Sequence, residues 1–239
     1  MRKTIALMWS WPFLILARPQ QRSMATMTRT ISFEPVGANQ LLYQRHLLNE
    51  SVPLVVVSGP AGTGKTMLAC HAMMNQLSLG RTEKLIVTRP YVSVDNEQIG
   101  FLPGNILQKM QPWTHPVFDQ FHHCSSPTQV ASFLKQGTIE TVPLGFMRGR
   151  TFHNTWILAD EMQNSSPAQM LMLLTRLGQH SKLIVTGDLA QSDVPGLNGL
   201  QDLLQRLGSY PYDDAALVTL GSEDIQRSRI VSRLLDLYP

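Results

Sequence analysis

The sequence predicts an α/β fold, a largely parallel sheet with helices on both faces. Three observations carry this. Short apolar runs alternate with helix-period segments along most of the chain. One run, Val55-Val56-Val57, opens into Gly59-Pro60-Ala61-Gly62-Thr63-Gly64-Lys65-Thr66, and a helix pattern follows at once. Two later runs end in Asp160-Glu161 and Gly187-Asp188, at strand ends, where open α/β sheets hold their ligands.

The chain has 239 residues, 43% of them apolar, and a formal net charge of +3. That is room for one substantial α/β domain, expected over 34–239. The mild basic balance permits nucleic-acid binding without demanding it. Cys70 and Cys124 are the two cysteines and form neither a disulfide framework nor a zinc spacing. Reduced thiols in the cytoplasm fit. His115, His122, His123 and Cys124 cluster in sequence, but their spacing matches no zinc pattern.

Residues 1–33 stand apart as a leader or extension: Arg2-Lys3, an apolar run from Ile5 to Ala17, and no acidic residue before Glu34. They read as a signal or transit peptide, sending the protein to an organelle or for export, or as a start called too early, with Met24 and Met27 downstream. The run is short for a membrane span, and no later segment resembles one, so stable membrane association is not expected.

Next come a strand-like stretch from Ile31 and a helix pattern over 40–48. Gln40 stands just before the first core strand, where a carboxamide can pair with an adenine edge; a solvated helix-start glutamine is the alternative. Strands are expected at 54–58, 84–88, 139–142, 155–159, 183–186 and 216–220. Helices are expected at 66–77, 167–177, 199–207 and 222–237, with short ones at 105–110 and 127–135.

The spacing of Gly59, Gly64, Lys65 and Thr66 is that of a phosphate-binding P-loop. Glycines let successive N–H groups point inward, and the following helix N-terminus favours anions. Gly59 through Thr66 thus form the expected nucleotide cradle. Lys65 reaches the β- and γ-phosphates, and Thr66 holds magnesium. In Trp156-Ile157-Leu158-Ala159-Asp160-Glu161 an apolar strand ends in two carboxylates. Asp160 is expected to bind magnesium, and Glu161 to orient and deprotonate water. Gln191, after the Gly187-Asp188 turn, is placed to sense the γ-phosphate; Asp188 is either a turn-former or a participant. The pair Glu161 and Gln191 argues for water as acceptor and against a small-molecule kinase. Arg89, Arg148 and Arg150 are candidate nucleic-acid phosphate contacts.

With these motifs read, the chain closely resembles the PhoH-like ATPase family, P-loop proteins related to superfamily 1 helicases, over about residues 35–239. Thr88-Arg89-Pro90, Gly100-Phe101-Leu102-Pro103-Gly104, Pro143 to Thr151, Asp160 to Asn164 and Thr186 to Gln191 carry the resemblance together with the P-loop. It implies a RecA-like core, ATP binding and hydrolysis with Mg2+, and homo-oligomeric rings, with a hexamer expected. Helicase-like motifs point to RNA or single-stranded DNA as a partner; an ATP-gated scaffold with slow turnover is the alternative. The family's retained late arginine falls on Arg227, a finger reaching a neighbouring subunit's ATP, with Arg229 second. The chain departs from the family in Met162, where alanine is usual, and in the shortened loop Pro195 to Leu200.

Overall fold

A computed structural model describes residues 34–90, 106–209 and 212–226, with backbone only for 106–113. The leader 1–33, the Gly100–Gly104 turn, Arg227 and Arg229 lie outside the described residues.

Six parallel strands form one sheet: β1 (Leu54–Ser58), β2 (Lys84–Thr88), β3 (Ile139–Thr141), β4 (Thr155–Ala159), β5 (Lys182–Gly187) and β6 (Ala215–Thr219). The spatial order is β3-β2-β4-β5-β1-β6. The central strands are apolar in their middles because both faces are covered, and their polar residues stand at or near the ends. Val55, Val57, Leu85, Val87, Leu158 and Ile184 point to one core, with α1 (Ala38–Leu48), α2 (Lys65–Ser78), α3 (Ile106–Cys124) and α4 (Pro127–Gln136). Val56, Ile86, Ile157, Ala159, Leu183 and Val185 point to the other, with α5 (Pro167–Leu174) and α6 (Gly199–Ser209). Truncating one fully buried member, such as Leu158, would cost roughly 2–5 kcal/mol.

Register places the chemistry. Ser58 pairs with Gly187, Ala159 with Val185, and Thr88 with Ala159. The exits of β1, β5, β4 and β2 therefore lie in one row. Because β5 separates β1 from β4, α2 must cross over β5 for its first turn to reach the end of β4.

All six expected strands form, with ends within a residue of expectation. Three helix expectations are corrected. The short helix at 105–110 is instead the start of the 19-residue α3, which runs through Pro112 and Pro116. Proline removes one ladder hydrogen bond, but Val117, Phe121 and Cys124 along one stripe pack into the core and outweigh that loss. The helix expected to 177 stops at Leu174. Thr175 Oγ1 takes up the Leu171 and Met172 carbonyls, and Leu177 leaves to bridge Phe152. Of the helix expected at 222–237, residues 227–237 lie outside the described residues, and the start is a 3-10 turn, Ser222–Asp224, followed by extended Ile225. Asp224 draws the turn back by accepting from Gly221 N.

Both cysteines are free and buried. Burial, then Asp160 and Cys124, pushes the Cys70 thiol well up, and burial pushes Cys124 to about 12, so both are neutral thiols. Among the described residues no helix is long and apolar enough to cross a membrane, and no group of three or more His, Cys, Asp or Glu could hold a metal.

Candidate active site

The loop between β1 and α2 takes its shape from backbone that other residues cannot follow. Gly59 has φ +153°, and a Cβ there would collide with the Leu220 carbonyl at the exit of β6. The loop bends round to Gly64, which precedes Lys65, the first residue of α2. Thr63 Oγ1 pins the bend by donating to Pro60 O at 2.8 Å. Lys65 Nζ donates to Gly59 O at 2.6 Å and Pro60 O at 2.8 Å, so the ammonium lies against the loop it serves. Tyr43 on α1 donates to Lys65 O at 3.2 Å and fixes the helix start.

Asp160, only 4% exposed at its side chain, is the hub. Its Oδ1 accepts from Thr66 Oγ1 at 2.9 Å and from Thr186 Oγ1 at 2.5 Å. Arg89 Nε stands 3.5 Å from its Oδ2. Thr66 and Asp160, expected from sequence to act together, are thus brought together, while the Lys65 ammonium one residue earlier lies on the loop carbonyls. The Thr66 hydroxyl and the Asp160 carboxylate are hard oxygen donors of the kind magnesium prefers, so the residues present fit that ion.

Glu161 follows in left-handed backbone, φ 56° and ψ 41°. A residue with a Cβ adopts this at a cost of about 1 kcal/mol, a strain typical of functional turns. Its carboxylate is 37% exposed, with Arg89 Nη2 3.3 Å from Oε1 and Gln163 Nε2 2.6 Å from Oε2. Gln191 lies in the 3-10 turn Leu189–Gln191 after β5, exposed at the same end of the sheet. Asp188 is a turn-former: its Oδ1 accepts from Ala190 N at 3.0 Å. The loop beyond is tied to the carboxylate turn by Ser192 Oγ on Gln163 O at 3.0 Å and Asp193 N on Asn164 Oδ1 at 2.9 Å.

Three expectations change in the structure. Gln40 is fully buried, and its carboxamide is engaged within the chain. Nε2 donates to Thr63 O at 3.0 Å and Asp224 O at 3.3 Å, while Oε1 accepts from Val36 N and Gln226 Nε2. Both amide hydrogens are used, so here Gln40 braces the back of the phosphate loop rather than offering an adenine-pairing edge. Arg89, expected at nucleic-acid phosphates, is 17% exposed at its side chain and lies against Asp160 and Glu161. Arg150 is not on the ligand face. It grips Glu140 of the edge strand through two bonds, 2.9 and 3.2 Å, and lies 4.6 Å from the Phe152 ring centroid. It precedes the entry of β4, whereas the ligand face is at the strand exits, and Arg148 before it is exposed.

Sequence reasoning assigned no role to Thr186 or Gln163. Thr186 becomes legible only once β5 is known to lie beside β4. Gln163 sits two residues past Glu161 in a buried turn, where no periodicity marks it. At the far side of the loop, Gln226 N donates to Gly62 O at 3.0 Å, so the chain reaches the phosphate loop at the last described residue.

A glycine-rich loop entering a helix, faced by an acidic strand end across an intervening parallel strand, defines a RecA-like P-loop NTPase fold. The family model described as PhoH-like protein matches residues 32–239, and the chain belongs to that family. It is 40% identical over 185 residues to a PhoH-like protein of Synechocystis sp. (strain ATCC 27184 / PCC 6803 / Kazusa), covering 75% of this chain and 55% of that one. It is 38% identical over 202 residues to Protein PhoH of Escherichia coli (strain K12), covering 82% and 56%. The chain thus spans about half the length of the curated relatives it matches. Among solved structures it is similar to the large terminase from a thermophilic bacteriophage, with TM-score 0.55, 12% identity, and 86% and 51% of the two chains covered. At that identity the likeness is one of fold.

Proposed function

We propose that this protein binds ATP with Mg2+ and hydrolyses it, and that turnover is coupled to RNA or single-stranded DNA. The observation that carries the reading is the Thr66–Asp160 hydrogen bond, which puts a magnesium-type oxygen pair at the mouth of the phosphate loop, with Glu161 next in the chain. Loop N–H groups and the α2 N-terminus receive the phosphates. The Lys65 ammonium adds positive charge there. Thr66 and Asp160 hold the magnesium ion, which when bound neutralises charge on the phosphate oxygens. Glu161, partly exposed and adjacent, accepts a proton from the attacking water. Helicase-related motifs and a net charge of +3 support the nucleic-acid partner.

A second reading, an ATP-gated scaffold with slow turnover, is favoured by one feature: Arg89 already holds both carboxylates. The test is the ATPase rate of the purified protein across a magnesium titration, with and without a panel of single-stranded RNAs and DNAs. Magnesium-dependent turnover stimulated by a nucleic acid supports the first reading. Slow turnover indifferent to every nucleic acid supports the scaffold. No hydrolysis under any condition overturns the enzymatic reading.

A further inference from the structure

Gln163 is 1% exposed, follows the exit of β4 with the β5 exit between it and the phosphate loop, and makes contacts that the scheme above does not use. We propose that Gln163 is a positioning residue that sets the Glu161 carboxylate and ties it to the Gly187-Asp188 turn at the exit of β5. The proposal rests on Glu161 acting as the base.

The amide has a single sensible orientation. Its Oε1 accepts from Asp188 N at 3.1 Å, and its Nε2 stands 2.6 Å from Glu161 Oε2 and 3.5 Å from Gln191 O. Flipping it would face oxygen against carboxylate oxygen and N–H against N–H. Glu161 is held at both oxygens, by Arg89 Nη2 at Oε1 and by Gln163 at Oε2. A partly exposed glutamate otherwise samples several rotamers; held this way it keeps one.

The other end of the link is equally constrained. A Cβ on Gly187 would come within 2.6 Å of Gln163 Oε1 and of Leu200 Cδ2, so the β5 exit and the glutamine are fitted to each other. Gln163 O also accepts from Ser192 Oγ at 3.0 Å. The backbone and side chain of this one residue therefore clasp the whole turn that carries Gln191. A shift of that turn, the expected response to a γ-phosphate, moves the Asp188 N–H and through Gln163 moves Glu161. Among the described residues, the charged groups at this end of the sheet include, besides Glu161, Arg89, Lys65, Asp160, Asp188 and Asp193, with Glu223 and Asp224 after the exit of β6.

The test compares wild type with Gln163→Met and Gln163→Glu, measuring affinity for a fluorescent ATP analogue, kcat and KM, the pH profile of kcat, and thermal melting. Gln163→Met should keep analogue affinity and KM within about threefold and lower kcat at least ~10-fold at every pH. Gln163→Glu still accepts from Asp188 N but sets two carboxylates face to face, which then share a proton. Its acid limb should move up by about one pH unit or more, which loss of packing alone would not do. Both variants matching wild-type kcat and pH profile would overturn the proposal, as would losses that merely track a fall in melting temperature. Wild type that binds the analogue but hydrolyses nothing overturns the base reading instead, and the wild-type arm shows this separately.

Discussion

Thr66 and Asp160, 94 residues apart, share a 2.9 Å hydrogen bond that joins the first turn of α2 to the exit of β4. The bond crosses the intervening strand β5, whose Thr186 donates to the same carboxylate oxygen. Lys65, one residue earlier, is turned toward the loop carbonyls instead. On the proposed function, the two neighbours serve different parts of the nucleotide. Lys65→Ala should weaken ATP binding at least ~10-fold, because the backbone cradle cannot replace the ammonium. Thr66→Ala should leave magnesium-free binding nearly intact and blunt the gain that magnesium provides. Calorimetry with and without magnesium reads both, and unchanged ATP affinity in K65A would refute the assignment.

Glu161→Gln should bind ATP and turn over at least ~10²-fold slower, because the amide orients water without taking its proton. Arg89→Ala removes the guanidinium that lies against Asp160 Oδ2 and Glu161 Oε1. It should slow turnover at least ~10-fold while leaving the salt dependence of single-stranded RNA binding unchanged. A flatter salt dependence with normal turnover would return Arg89 to the nucleic-acid role.

Glu140 sits between Lys84 Nζ at 2.5 Å and Arg150 Nη1 at 2.9 Å. Burial raises its proton affinity, but the hydrogen bonds from Arg150 and Lys84 outweigh this and hold the carboxyl below its ordinary 4.5. A carboxylate lowered on folding contributes stability above its unfolded value and loses it as pH falls through the folded one. Wild type should therefore lose stability relative to Glu140→Gln on acidification below about 4.5. At neutral pH the difference should be about 1 kcal/mol, since all three side chains are partly exposed. Parallel melts at pH 7 and pH 3.5 check it; a difference that does not change with pH would refute it.

Lys182 stands at the entry of β5, the end remote from the phosphate loop, and donates to the carbonyls of His46, Leu47 and Asn49 at the end of α1. Its ammonium also lies 5.2 Å from the Trp156 ring centroid. Lys182→Met orphans carbonyls of a helix terminus and should cost roughly 2 kcal/mol. The KM for ATP should not move, because the six-residue strand puts about 20 Å between the two ends. Denaturant unfolding and steady-state kinetics on the same preparation test both halves.

We propose that a second copy of the chain closes the water-facing side of the bound nucleotide and brings in positive charge. A head-to-tail contact whose rotation closes gives a ring, and a hexamer is the assembly we propose. Mixing Lys65→Ala with Arg227→Ala subunits should then restore part of the activity, because some interfaces pair an intact lysine with an intact arginine. No recovery despite demonstrated subunit exchange, or a fully active monomer by light scattering, would refute the shared site.

Local pattern alone determined the phosphate loop and the six strands, and it marked Thr66 and Asp160, which the fold joins by a hydrogen bond. These follow from glycine geometry, apolar runs and chemistry that needs particular residue types at short spacing, all of which act within a few residues. The continuous α3 did not, since Pro112 and Pro116 argue for a break and only the packing of Val117 and Phe121 overrides them. Side-chain partners across the sheet were likewise decided by tertiary structure. In sequence Arg89 follows a strand and Arg150 precedes one, and both are candidates for the same phosphate contacts. Strand order and direction set one against the carboxylates at the exits and the other against Glu140 on the edge strand. Gln40 and Gln163 were decided the same way: a carboxamide has two donors and an acceptor, and which carbonyls, N–H groups and carboxylates it meets depends on chain segments brought together only by folding.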